Sequence, residues 1–139
     1  MPVVVPNLHF MGNCAEAMAL YARAFGAKQT VLLRYEDADA RDFDKPLTGP
    51  EQMYVYHAEM ELCGQRIMLS DSTDVIPSGA DDAVSLTVIM ETGEQVEKAY
   101  ACLREGAAVI HPLSKTTYSG RMVSLRDRFG IRWGIMTET

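Results

Sequence analysis

Cysteine is scarce in this chain, basic residues are outnumbered, and long apolar runs and glycine-rich loops are absent. Only Cys14, Cys63 and Cys102 occur, an odd number without CxxC spacing. That excludes a disulfide framework and a zinc knuckle and points to reduced thiols. Lys and Arg total 13 against 19 Asp and Glu, a formal charge of -6. A nucleic-acid partner is therefore not expected, because phosphate binding needs a basic surface. No apolar run approaches the ~20 residues of a membrane span. The start, Met1-Pro2-Val3-Val4-Val5-Pro6, has no basic region leading into an apolar core, so a cytoplasmic protein is expected. No Gly-rich loop follows a strand pattern, so no dinucleotide or adenosyl site is read.

What remains is an ordinary globular composition, 47% hydrophobic and 23% charged over 139 residues. One domain is expected, long enough to bury a core without staples. The most informative stretch runs from Tyr54 to Asp71. Two alternating runs flank Cys63-Gly64, the pattern of a β-hairpin. Alternation puts Ala58, Met60 and Leu62 on one face and His57, Glu59 and Glu61 on the other.

The order of elements follows from periodicity. Val3 to Met11 reads as a strand weakened at Pro6. Asn13 with Glu16 has capping-box spacing before a helix carrying Ala17, Leu20, Tyr21, Ala24 and Phe25, and Gly26 stops it. Gln29 to Tyr35 is a strand. Glu36 to Gln52 is acidic, holds two prolines and shows no period, so it reads as a functional flap or a solvated loop. A second polar loop covers Asp71 to Ala83. Val84 to Met90 is a strand, and Thr92 with Gln95 caps a helix bearing Val96, Ala99, Tyr100 and Leu103 up to Gly106. Ala107 to His111 is a strand ended by Pro112. Met122 to Leu125 and Ile131 to Met136 form a last hairpin around Asp127-Arg128-Phe129-Gly130.

The halves repeat. Asn13 maps onto Thr92 and Tyr21 onto Tyr100 at an offset of 79, and Gly26 onto Gly106 at 80. Gly64 maps onto Gly130 at only 66, and the 14-residue difference is accounted for by an insertion at Glu36 to Gln52. The fold class expected is α+β: two βαβββ repeats, residues 1–71 and 84–139, forming a curved mixed sheet around a cleft with helices outside.

This duplication resembles the vicinal oxygen chelate superfamily, which includes glyoxalases, extradiol dioxygenases and antibiotic-resistance proteins. Four stretches resemble its PhnB-like branch: Gly12-Asn13-Cys14-Ala15-Glu16-Ala17, His57-Ala58-Glu59-Met60, Met68-Leu69-Ser70-Asp71, and Asp127-Arg128-Phe129-Gly130-Ile131-Arg132-Trp133. The resemblance implies one glyoxalase-like domain, a cleft for a small organic molecule and a homodimer. In metal-dependent members each half supplies ligands from its first and last strands. Those positions here are Pro6, Met68, Ser85 and Gly134, none a useful ligand, so no metal and no cofactor are expected. The resemblance also carries a demethylubiquinone methyltransferase label, which the missing Gly-rich loop does not support.

The candidate ligand contacts are His57, Glu59, Ser70, Tyr118 and Arg121. His57 and Glu59 would point toward the cleft as a hydrogen-bonding or acid–base pair, or form an ion pair with Arg66, or hold a displaced metal. Arg121, with Tyr118 in a polar loop at the cleft mouth, would clamp an anion or sit in solvent. His9 is expected to face the helices, and Trp133 to lie opposite Gly134. Cys14, at a helix N-terminus, is a packed residue or a thiol of lowered pKa. Two function classes stay open: a metal-independent binding protein or enzyme, and a metal-dependent lyase, isomerase or dioxygenase using His57 and Glu59.

Overall fold

A computed structural model describes residues 2–43, 45–73 and 84–139; most of the polar loop expected at Asp71 to Ala83 lies outside the described residues. The chain divides into two compact units, residues 2–22 with 26–73, and residues 23–25 with 84–139. Each contains one four-stranded mixed sheet. In the first half the order is β1-β4-β3-β2, from β1 (Asn7–Phe10), β2 (Lys28–Arg34), β3 (Val55–Leu62) and β4 (Gln65–Asp71), with helix α1 (Cys14–Phe25) between β1 and β2. The second half repeats it as β5-β8-β7-β6, from β5 (Leu86–Ile89), β6 (Ala108–Ser114), β7 (Met122–Arg126) and β8 (Arg132–Met136), with α2 (Gly93–Leu103). The α+β duplication of βαβββ units is therefore present.

In each half the first strand runs parallel to the last, and the other pairs are antiparallel. The β3–β4 hairpin pairs Leu62 with Gln65, leaving a two-residue turn. Cys63 (φ 51°) and Gly64 (φ 80°) both take positive φ, as a type I′ turn requires. The face read as apolar is buried: Ala58, Met60, Ile67 and Leu69 all lie within it. Helix α1 covers that face, its Met18 bordering the same crevice as Met60. In the second half α2 packs on β7 and β8, burying Val96, Leu103, Val123, Leu125 and Trp133.

Three local expectations are corrected. The first strand is shorter than Val3 to Met11. Pro6 has no N–H for the ladder, although its carbonyl accepts the Met68 N–H at 2.9 Å. The strand β6 runs through Pro112 instead of ending there, because it is an edge strand with an irregular register between His111 and Ser114, where proline's missing donor costs nothing. Asn13 does not cap α1 with its side chain. Asp71 does so from β4, accepting the Gly12 and Cys14 N–H groups on Oδ1 at 2.8 and 3.0 Å. By contrast the Thr92–Gln95 capping box of α2 is formed, and Gly26 ends α1 at φ 69°.

Candidate functional site

The open face of the first sheet is built by strand register. Pairing of Asn7 with Met68 and His9 with Ser70 puts these four side chains on one face, and Glu59 joins through its pairing with Met68. His9 therefore does not face the helix, as expected above. Its neighbour Phe10, 2% exposed, does so instead, and alternation turns His9 to the open side. There its Nδ1 lies 3.2 Å from Ser70 Oγ.

Beside this pair is a cavity of about 470 Å³ lined by His9 and Ser70. The long insertion supplies one side of its lining, with Asp42, Phe43, Lys45 and Leu47. That segment is not featureless: three 3-10 turns, Tyr35–Asp37, Ala40–Asp42 and Pro50–Met53, give it shape. Its base is tied by Tyr35 N–H to the Tyr54 carbonyl at 3.0 Å and by Arg34 Nη1 to the Met53 carbonyl at 2.6 Å. Tyr35, Phe43 and Tyr56 pack into one aromatic wall, with centroids 5.1 to 5.5 Å apart. Tyr56 donates its hydroxyl to Asp42 Oδ2 at 2.8 Å, and the Asp42 carboxylate holds that phenol above its ordinary pKa. Lys45 and Leu47 of the insertion and Ser72 and Thr73 after β4 complete the lining.

Asp71 joins this cavity to the core. Its Oδ2 accepts the Val55 N–H at 2.9 Å, and its carbonyl accepts the Tyr35 hydroxyl at 2.7 Å. Cys14, fully buried beside it, is no reactive thiol. Burial first, and the Asp71 charge second, push its pKa up to about 12 against a smaller opposing pull from Arg34. Desolvation outweighs the helix dipole invoked from sequence.

The other sequence-predicted residues lie elsewhere. Glu59, 14% exposed, accepts from Arg66 Nε on Oε1 at 2.6 Å, while His57 Nε2 lies 2.7 Å from Oε2. This triad shares the open face with Ser70 but does not line the cavity. In the second half Tyr118 is exposed, and Arg121 pairs with Glu97 of α2. The residues missed from sequence are the aromatic wall, Asp42, Lys45 and His9. The aperiodic insertion was the only signal for Asp42, Phe43 and Lys45; His9, Tyr35 and Tyr56 lie outside it.

The triad yields a pH prediction. The Arg66 hydrogen bond, then that of His57, pulls the Glu59 carboxyl down to about 2 from an ordinary 4.5. A depressed carboxylate stabilises the fold above its unfolded pKa and loses that contribution as pH falls through the folded value. The stability difference between the parent and Glu59→Gln should be full above pH ~5, shrink as pH falls and be lost only below about pH 2. Urea titrations of both proteins at several pH values check this; a pH-independent difference contradicts it.

The metal positions of the resembled superfamily do not fit an ion. Met68 stands between Asn7 and Glu59 with a thioether, and both oxygens of Glu59 are engaged. A Cβ on Gly134 would come within 3.3 Å of Thr87 Oγ1. Among the described residues no three His, Cys, Asp or Glu side chains cluster as metal donors. An adenosyl group fits no better. In the β1–α1 turn the Gly12 and Cys14 N–H groups already go to Asp71, and a Cβ on Gly12 would meet the Tyr54 ring at 2.9 Å.

Residues 2–136 match the family model described as 3-demethylubiquinone-9 3-methyltransferase. The Escherichia coli (strain K12) protein YjdN is 26% identical over 138 residues, covering 94% of this chain and 91% of that one. The solved structure of the PhnB protein from Bacillus cereus superposes with a TM-score of 0.81 at 26% identity, covering 98% of this chain and 99% of that one. Protein PA1353 from Pseudomonas aeruginosa also reaches 0.81, at 25% identity over 99% and 98%.

Proposed function

The chain belongs to the family described as 3-demethylubiquinone-9 3-methyltransferase, the PhnB-like branch of the vicinal oxygen chelate superfamily, and from that premise we propose that it binds a small organic molecule in the first-half cavity without a divalent metal. The observation carrying this is the cavity itself. Its volume, about 470 Å³, falls in the range of ligand sites, and it combines an aromatic wall with a few hydrogen-bonding groups. Ser70 and His9 would orient the ligand, and the three rings would cover its faces. Of the other predicted contacts, His57 and Glu59 share the open face without lining the cavity, and Tyr118 and Arg121 belong to the second half. The methyl transfer in the family's description is not part of it: no Gly-rich loop follows β1 or β5, and Asp71 already takes the Gly12 and Cys14 N–H groups at the start of α1.

Binding is the function proposed; catalysis would require a reacting group that the lining does not single out. No helix among the described residues is long and apolar enough to cross a membrane. A cytoplasmic homodimer is proposed, and light scattering against the 15.4 kDa chain mass tests the dimer.

Thermal unfolding with chelator present tests the binding. A ligand at 100 times its Kd adds about 2.7 kcal/mol, or a rise of roughly 8 °C in Tm for this length. Screening small aromatic compounds should find such a shift, and Ser70→Trp, which fills the cavity, should remove it. Stoichiometric zinc, iron, manganese or nickel in purified protein, lost in a His57→Ala, Glu59→Ala variant, would refute the metal-free reading.

A further inference from the structure

We propose that the first cavity takes a positively charged ligand, an ammonium group held by Asp42 against the aromatic wall. This rests on the cavity reading above and specifies its ligand. Among the described residues the lining holds two carboxylates, Asp42 and Asp71, against one ammonium, Lys45. Asp71 has nothing further to offer, since both its oxygens accept backbone N–H groups. Lys45 has an interaction of its own. Asp42 is different. Its Oδ2 accepts the Tyr56 hydroxyl at 2.8 Å, and its Oδ1 has no partner among the described residues. Arg41, the adjacent cation, does not take that place. Its side chain is 89% exposed, and its guanidinium is bonded to Asp39, with Nη2 2.8 Å from Oδ2.

The groups around Asp42 act in the same sense. A carboxylate oxygen only accepts, so Oδ1 calls for a donor. The Thr73 hydroxyl, without a partner among the described residues, can accept as well. So can His9 Nε2 when Nδ1–H donates to Ser70. Tyr35, Phe43 and Tyr56 all line the same space, and the negative face of an aromatic ring attracts a cation. Tyr56 is bonded to Asp42 and Phe43 follows Asp42 in the chain, so carboxylate and rings stand together. An anion placed there would meet the Asp42 charge and the ring faces, both of which repel it. A neutral ligand would leave that charge unanswered. Across the wall a second cavity of about 580 Å³ shares Tyr35, Phe43 and Lys45 and adds Glu36, again a carboxylate.

The test uses the full chain and a set of ligands of one shape: 2-naphthylmethylammonium, 2-naphthylmethanol and 2-naphthoate. Titration calorimetry at neutral pH and low salt, where screening is least, reads each Kd. The ammonium should bind about tenfold tighter than the alcohol, an exposed ion pair and a cation over a ring each contributing severalfold, and the naphthoate should bind weakest. Asp42→Asn removes the charge while keeping an acceptor for the Tyr56 hydroxyl, and should erase most of the ammonium's advantage. Phe43→Leu should narrow it. Equal affinity of ammonium and alcohol, tighter binding of the naphthoate, or an advantage that survives Asp42→Asn overturns the cation assignment. The cavity reading still stands in those cases if binding of the alcohol is lost in Ser70→Trp. If no member of the set binds, the cation assignment falls; a broader screen that also finds no ligand displaced by Ser70→Trp then defeats the cavity reading itself.

Discussion

Replacing Asp71 with alanine is expected to destabilise the chain by about 3–5 kcal/mol, since each buried backbone donor left unpaired costs about 1–3 kcal/mol. The residue is 2% exposed and its carboxylate accepts three backbone N–H groups, from Gly12 and Cys14 at the start of α1 and from Val55 at the start of β3. Water cannot replace these bonds at the buried pair. Against a typical total stability of about 5–15 kcal/mol the loss is large. Asp71→Asn should recover little. An amide offers one oxygen, so either orientation aims its NH2 at a backbone donor, Val55 on one side or Gly12 and Cys14 on the other. Urea denaturation should show a lowered midpoint at an unchanged m-value for both variants. An Asp71→Asn midpoint equal to the parent's would refute this account. The Tyr35 hydroxyl bonds the backbone of the same residue, so ligand affinity should fall with stability.

Trp133→Ala should cost about 3–5 kcal/mol in the second half, the usual range for deleting a large buried aromatic. The indole is fully buried, tilts against Phe25 at 4.8 Å and donates Nε1–H to Asp127 Oδ2 at 2.8 Å. Asp127 Oδ1 meanwhile accepts the Phe129 and Ile131 N–H groups and shapes the β7–β8 turn. Losing the indole therefore leaves a cavity and takes away one partner of a buried carboxylate. Trp133→Phe keeps most of the volume and should lose about 1–3 kcal/mol, chiefly the hydrogen bond to the charged partner. Trp133 is the only tryptophan, so far-UV circular dichroism, not fluorescence, must follow the variants. Equal midpoints for Trp133→Phe and the parent would show that the Asp127 bond contributes nothing net.

Legibility in the sequence tracks the distance over which residues act. The Thr92–Gln95 box, the positive-φ pair Cys63-Gly64, the stop at Gly26 and the repeat itself depend on neighbours a few positions apart or on a fixed offset, and each is present. The Asn13–Glu16 spacing has the same local form, yet the cap comes from Asp71, 57 residues beyond Cys14. A local motif cannot report a stronger acceptor arriving from another strand. His9 failed for a related reason. Alternation fixes which residues share a face, but which face the helix covers is settled by tertiary packing, and Phe10 took it. The aromatic wall was hidden because Tyr35, Phe43 and Tyr56 follow no period; their contact exists only once the insertion folds back. Of the predicted contacts, Ser70 lines the cavity, while His57 and Glu59 form an ion-paired network with Arg66 on the same sheet face.

The insertion between β2 and β3, with the start of β3, carries most of the cavity's distinctive wall on one run from Tyr35 to Tyr56. The framework that supports it, strand pairing and the Asp71 bonds, is set by other residues. In a duplicated gene, such a division lets one segment diversify while both βαβββ units are retained. A change of ligand would then need no new fold and few compensating substitutions, only exchange of that run. Relatives with this scaffold would be expected to differ most in chemistry where this chain is least periodic.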